Sequence, residues 1–117
     1  FRRTKGKQVQ MRLIRIRNMK NPIEQLNKIF DSRIRMGIMS ALLVNTRINF
    51  NELKELIQVT DGNLASHLKT LEETGYIKVE KGFIGRKTNT IYTVTKSGEK
   101  AFKTHLDALE KMIRSLD

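Results

Sequence analysis

A chain of 117 residues is one domain's worth, with room for a single modest core, and its 38 % hydrophobic and 30 % charged content is ordinary for a soluble globular protein. Lys and Arg number 23 against 12 Asp and Glu, a formal net charge of +11 that favours polyanionic partners such as nucleic acid. The absence of cysteine removes disulfides, thiolate metal sites and cysteine nucleophiles together. No apolar run approaches the roughly 18 residues of a membrane span, so a cytoplasmic protein that contacts no membrane is expected.

The charge is unevenly spread. Residues 1–18 hold seven basic residues and no acid, leaving 16 basic against 12 acidic residues in 19–117. Residues 1–18 read as a basic N-terminal arm or an appended segment, with Met19 a natural start, and 19–117 as the folded domain. Within the arm, Val9, Met11 and Leu13 alternate in one phase and Ile14 and Ile16 in the other, as an edge strand or a pairing arm would.

Pro22 suits the first turn of a helix, and Ile23, Leu26, Ile29 and Phe30 follow at helical spacing. Asp31 or Ser32 can cap a second helix bearing Ile34, Ile38, Met39 and Leu42 on one face. Asn49 with Glu52 forms a capping-box pattern, which predicts a short helix over Phe50 to Ile57 that buries Leu53, Leu56 and Ile57. Thr60 can cap the next helix, with Asp61 in its first turn. Leu64, Leu68 and Leu71 give that helix a buried stripe. Asn63, Ser66, His67, Lys69 and Thr70 lie off the stripe, and Gly75 is the expected left-handed terminator.

From Tyr76 the period changes to two. Ile77 and Val79 alternate with Lys78 and Glu80, and Tyr92 and Val94 alternate with Thr93 and Thr95, which predicts a two-stranded ribbon. The segment Lys81–Asn89 between them is basic and reads as too long for a two-residue hairpin. Thr95 or Ser97 can cap a last helix to about Leu116. Its apolar stripe of Ala101, Phe102, His105, Leu106, Leu109, Met112, Ile113 and Leu116 is broad enough to call for a partner surface.

The fold class is therefore mainly α with a small antiparallel β-ribbon: a winged helix-turn-helix whose N- and C-terminal helices form the dimer interface. In such a unit the second helix of the motif enters the major groove. Asn63 can pair with an adenine edge or bond within its own helical turn, and Ser66 and Thr70 are small enough to meet phosphate or a thymine methyl. His67 can donate to a base or phosphate oxygen or be an ordinary surface histidine. Lys54 and Lys69 suit phosphate, which positions without specifying sequence.

No enzyme and no cofactor are expected. Ser66 and His67 are adjacent on a helix and so point about 100° apart, too far for a relay. Gly82 and Gly85 match no phosphate cradle, and two histidines without cysteine make a poor metal set.

The stretches Asn51-Glu52-Leu53-Lys54-Glu55-Leu56 and Thr60-Asp61-Gly62-Asn63-Leu64-Ala65-Ser66-His67-Leu68-Lys69-Thr70-Leu71-Glu72-Glu73-Thr74-Gly75-Tyr76-Ile77 carry a family likeness. So do Lys81-Gly82-Phe83-Ile84-Gly85-Arg86-Lys87, Tyr92-Thr93-Val94-Thr95 and Gly98-Glu99. Over about residues 22–116 the chain resembles the small winged-helix DNA-binding proteins of bacteria and archaea related to the MarR and ArsR groups of transcriptional regulators.

The resemblance implies a homodimer on an imperfect inverted repeat of double-stranded DNA, usually as a repressor. It implies that the helix Thr60–Thr74 reads the major groove and that the wing Lys81–Asn89 lies on the minor groove or backbone. Arg86 and Lys87 match the family's basic wing pair. Leu26, Phe30, Phe102, His105, Leu106, Leu109, Met112, Ile113 and Leu116 are the expected dimer seam. A small-molecule effector has no support in the sequence beyond the room that a seam around Phe102, His105 and Leu109 would leave. The competing functions are a winged-helix protein-interaction module and a non-specific architectural DNA binder relying on residues 1–18.

Overall fold

The computed structural model describes residues 22–116, so the arm at 1–18 lies outside the described residues. The helix expected after Pro22 is instead two separate 3-10 turns, Pro22–Gln25 and Lys28–Phe30. Asn27 divides them. Its backbone is extended (φ −105°, ψ 121°), its side chain accepts from the Ile29 N–H at 3.0 Å, and its own N–H donates to Nδ1 of His105 at 3.0 Å. A backbone donor committed to a distant side chain cannot also join an i→i−4 ladder, so a continuous helix is interrupted there.

Helix α1, Arg33–Val44, starts at Ser32, whose hydroxyl accepts from the Arg35 N–H at 3.2 Å, and it buries Ile38, Met39, Ala41 and Leu42. A two-residue strand not evident in the sequence, β1 (Ile48–Asn49), leads into α2, Phe50–Ile57. The capping box at α2 is reciprocal: Asn49 Oδ1 accepts from the Glu52 N–H at 2.8 Å, and Glu52 Oε1 accepts from the Asn49 N–H at 3.1 Å. So short a helix turns one row to the core. Leu53 is fully buried and Ile57 half-buried, whereas Leu56, expected inside, is 60 % exposed.

Gln58, in the left-handed region (φ 57°, ψ 59°), ends α2, and two residues later Thr60 caps α3, Asp61–Glu73. Leu64, Leu68 and Leu71 are its buried stripe, as the spacing predicts. The helix stops at Gly75 (φ +84°), with the Tyr76 N–H donating to Leu71 C=O at 3.0 Å and the Gly75 N–H to Glu72 C=O at 2.9 Å, the paired bonds of a Schellman termination.

Strands β2 (Ile77–Ile84) and β3 (Lys87–Val94) are antiparallel, and β1 adds to the other edge of β3. The ladder runs unbroken from Ile77 opposite Val94 to Ile84 opposite Lys87. The expected loop at 81–89 is thus strand almost to its tip, closed by Gly85 and Arg86 alone. Gly85 has φ +65° at the first of the two turn positions, where a type II′ turn requires it.

Helix α4, Lys96–Arg114, is capped by Thr95, whose hydroxyl accepts from the Gly98 N–H at 2.9 Å. Its inner row enters the core beside Phe30, whose ring lies 5.5 Å from Tyr76, 5.1 Å from Phe102 and 5.2 Å from His105. Phe30, Phe102 and His105 are 1 %, 1 % and 3 % exposed. Their assignment to a dimer seam is corrected: they pack on one another and on Tyr76 inside this chain, and the Pro22–Gln25 turn lies against α4. Leu26, Leu109 and Met112 remain half-buried, and Leu106, Ile113 and Leu116 are exposed, the last two at 66 % and 84 %.

Candidate nucleic-acid interface

The core stripe of α3 fixes which residues face away from it. Asn63 and Ser66 are exposed, together with Gly62 and Ala65, so the first two turns of the outer face carry only small or middle-sized side chains, with Lys69 exposed beyond them. Thr60 caps the helix through its own hydroxyl, which accepts from the Asn63 N–H at 3.2 Å. The Asn63 carboxamide therefore has no capping role, and it bonds to nothing among the described residues. Thr70 is half-buried, and its hydroxyl donates to Ser66 C=O at 3.2 Å, leaving only lone pairs for an outside partner.

His67 sits at the edge between the two faces. Its Nδ1 lies 2.9 Å from Nη1 of Arg35, which reaches across from the first turn of α1. Arg35 is the residue that sequence reading missed. The signal for it was present: cations are unfavourable in the first turn of a helix, yet α1 begins with Arg33 and Arg35 and has no acid there.

Burial of the ring and, after it, the neighbouring Arg35 charge hold the His67 imidazole below its ordinary value of 6.5. As pH falls, the unfolded chain takes up this proton before the folded one does. The contribution to stability is complete above 6.5 and is lost as pH drops through the lower, folded value. Between about pH 7 and pH 5 the unfolding free energy of the wild type should fall more steeply than that of His67→Gln; parallel curves would show that the ring carries no such linkage.

Lys54 on α2 meets Asp61 at the start of α3, 2.7 Å apart, and Lys69 lies 4.0 Å from Glu73. Both pairs are solvent-exposed and worth little, so phosphate can compete for either lysine. Arg33, Lys54, Thr60 and Asn63 line one open cleft along the N-terminal end of α3.

On the ribbon, Glu80 is shared by Lys78 at 3.8 Å and Arg47 at 3.9 Å. Beyond Glu80 the sequence has no acid until Glu99. Lys81, Arg86 and Lys87 are exposed and have no ion pair among the described residues, and Phe83 is 74 % exposed beside them. Asn89 is not at the tip: it pairs with Gly82 in the ladder and lines a small polar cleft with Asn49, Asn51, Thr88 and Thr90. Among the described residues no group of three or more His, Asp or Glu is placed to hold a metal, and no helix is long and apolar enough to cross a membrane.

A capped helix with a narrow polar face followed by a basic ribbon is the geometry of a winged helix, and residues 34–113 match the family model described as a winged helix DNA-binding domain. The chain belongs to this family. The winged helix is 37 % identical over 90 residues to an uncharacterised protein of Methanocaldococcus jannaschii, an alignment covering 77 % of this chain and 98 % of that one. Among solved structures it is similar to a transcriptional regulator homologue from Pyrococcus horikoshii OT3, with a TM-score of 0.68 and 33 % identity over 80 % of this chain and 98 % of that one. PadR of Bacillus subtilis in complex with operator DNA shares the fold, with a TM-score of 0.58 at 18 % identity, covering 64 % of this winged helix and 47 % of that chain.

Proposed function

We propose that this winged helix is a transcriptional regulator that binds double-stranded DNA sequence-specifically as a homodimer, acting as a repressor. In this reading α3 enters the major groove and residues 81–89 follow the minor groove or the backbone. The observation that carries it is the combination of the Asn63 carboxamide, free of any capping duty, with a ribbon that has no acid beyond Glu80 and presents Lys81, Arg86 and Lys87. A groove about 12 Å wide admits a helix whose outer residues are small, and an amide can read a base edge there. The PadR complex with operator DNA supports the same use of the same fold.

The dimer seam follows from what the core leaves over. Leu106, Leu109, Met112 and Ile113 run along α4 and Leu116 follows its end, with Leu26 just after the 3-10 turn that packs on that helix. Two copies joined there would present two α3 helices, and roughly 34–36 Å between them would match one turn of DNA.

Selection from a random duplex library at about 150 mM salt, followed by sequencing of the retained DNA, tests the reading. An enriched inverted repeat with half-sites about 10 base pairs apart is the expected result. Retention without a motif would favour an architectural binder, and no retention a protein-interaction module. Arg86→Ala should weaken binding to every duplex by a similar factor and reduce the salt slope by about one unit. Unchanged affinity would remove Arg86 from the interface.

A further inference from the structure

We propose that Arg35 is a positioning residue that determines which base edge α3 reads: it holds His67 with the proton on Nε2, so the helix offers a donor and selects an acceptor edge, guanine above all. This rests on the DNA-binding reading and adds to it a residue of α1, outside the helix-turn-helix itself.

The guanidinium has five N–H donors and no acceptor, and it stays charged. At 2.9 Å from Arg35 Nη1, His67 Nδ1 can therefore only accept. A neutral imidazole whose Nδ1 accepts carries its proton on Nε2. Arg35 is held at a second point as well, because its Nε donates to the Ile29 carbonyl in the Lys28–Phe30 turn. That turn is fixed in turn by Asn27, which bonds His105 and the Tyr76 hydroxyl. The fork is thus anchored to the core before any DNA arrives, and a preorganised fork loses little freedom in making the contact.

His67 stands one turn beyond Asn63 and one turn before Thr70 on α3, and its Nε2 has no partner among the described residues. In the major groove guanine shows two acceptors, adenine and thymine one each, and cytosine a donor. An Nε2–H donor fits guanine best and is refused by cytosine N4–H₂. The other tautomer would reverse the choice, since a bare Nε2 accepts from adenine N6 or cytosine N4.

Two measurements test this, and the first needs no DNA. Long-range ¹H–¹⁵N spectra of the free wild-type protein should show His67 as the Nε2–H tautomer alone. Arg35→Met, which supplies no donor, should give a mixture, and Arg35→Lys, which keeps one, should restore the wild-type form. Second, random-duplex selection should give a guanine in each half-site that His67→Ala loses. Arg35→Met should lose about tenfold of the preference for that guanine, admitting adenine or cytosine there, with the salt slope unchanged. The double variant should match His67→Ala alone.

A wild-type His67 protonated on Nδ1, or an Arg35→Met protein that selects the wild-type motif, overturns the inference while leaving a DNA-binding protein. A motif indifferent to His67→Ala does the same. A wild type that enriches no motif at all overturns both readings.

Discussion

Gly98→Ala is expected to destabilise the fold by about 3 kcal/mol and to lower the unfolding midpoint by roughly 10 °C. A Cβ at position 98 would stand 2.1 Å from the Tyr76 carbonyl oxygen, 2.8 Å from its carbon and 2.9 Å from the Tyr76 Cα. All three are backbone atoms, so no side chain can swing away to make room. Nor can the backbone shift alone, because Tyr76 C=O accepts from the Thr95 N–H at 3.0 Å and the Thr95 hydroxyl donates to Gly75 C=O at 2.7 Å. The contact joins the entry of α4 to the exit of α3, which is why overpacking there should reach the upper end of its usual range. Gly62→Ala serves as the control. Nothing lies within 4 Å of a Cβ at position 62, and alanine suits a helix better than glycine, so its midpoint should stay level or rise. A Gly98→Ala midpoint within a degree or two of wild type, read by circular dichroism, would mean that α4 does not sit this closely on Tyr76.

Phe30→Ala should cost about 3–5 kcal/mol, at every protein concentration. The ring is 1 % exposed and packs on Tyr76, Phe102 and His105, so its removal leaves a cavity inside one chain rather than a gap between two. Denaturant unfolding at two concentrations a hundredfold apart separates the possibilities. Equal losses place Phe30 in the core of the single chain. A loss confined to the concentrated sample would return it to an interface between copies.

The features legible in the sequence were those decided by neighbours along the chain. The Asn49–Glu52 box gives α2 its start, Thr60 caps α3, Ser32 and Thr95 are each one of the two candidates for the caps of α1 and α4, and Gly75 stops α3 in the left-handed conformation. The residues off the α3 stripe were legible too, since three buried leucines fix the rotation of the helix. Features decided across the chain were not legible. Asn27 breaks a good helical period because His105, 78 residues away, takes its N–H. The glycines in Lys81–Asn89 suggested a loop, but Phe83 opposite Thr88 and Ile84 opposite Lys87 are strand formers that carry the ladder outward. The α4 stripe was visible as a whole, yet periodicity does not say which part its own domain covers. Phe102, His105 and Ala108 turned inward; Leu106 and Ile113 did not. Arg35 and His67 are 32 residues apart, and no spacing rule joins them.

The pairing of the ribbon out to Ile84 and Lys87 also limits how such a wing can vary. Its tip does not search for its place, because the cross-strand register has already set the distance from the body to Arg86. Each further residue in both strands would lengthen the reach by about 3.3 Å and turn the following side chains to the opposite side of the ribbon. A change of reach that keeps every cation on its present side must therefore come in steps of two residues per strand, about 6.6 Å at a time. The ribbon behaves as a ruler with coarse graduations, and finer adjustment of where its charges fall is left to the choice of residues already on it.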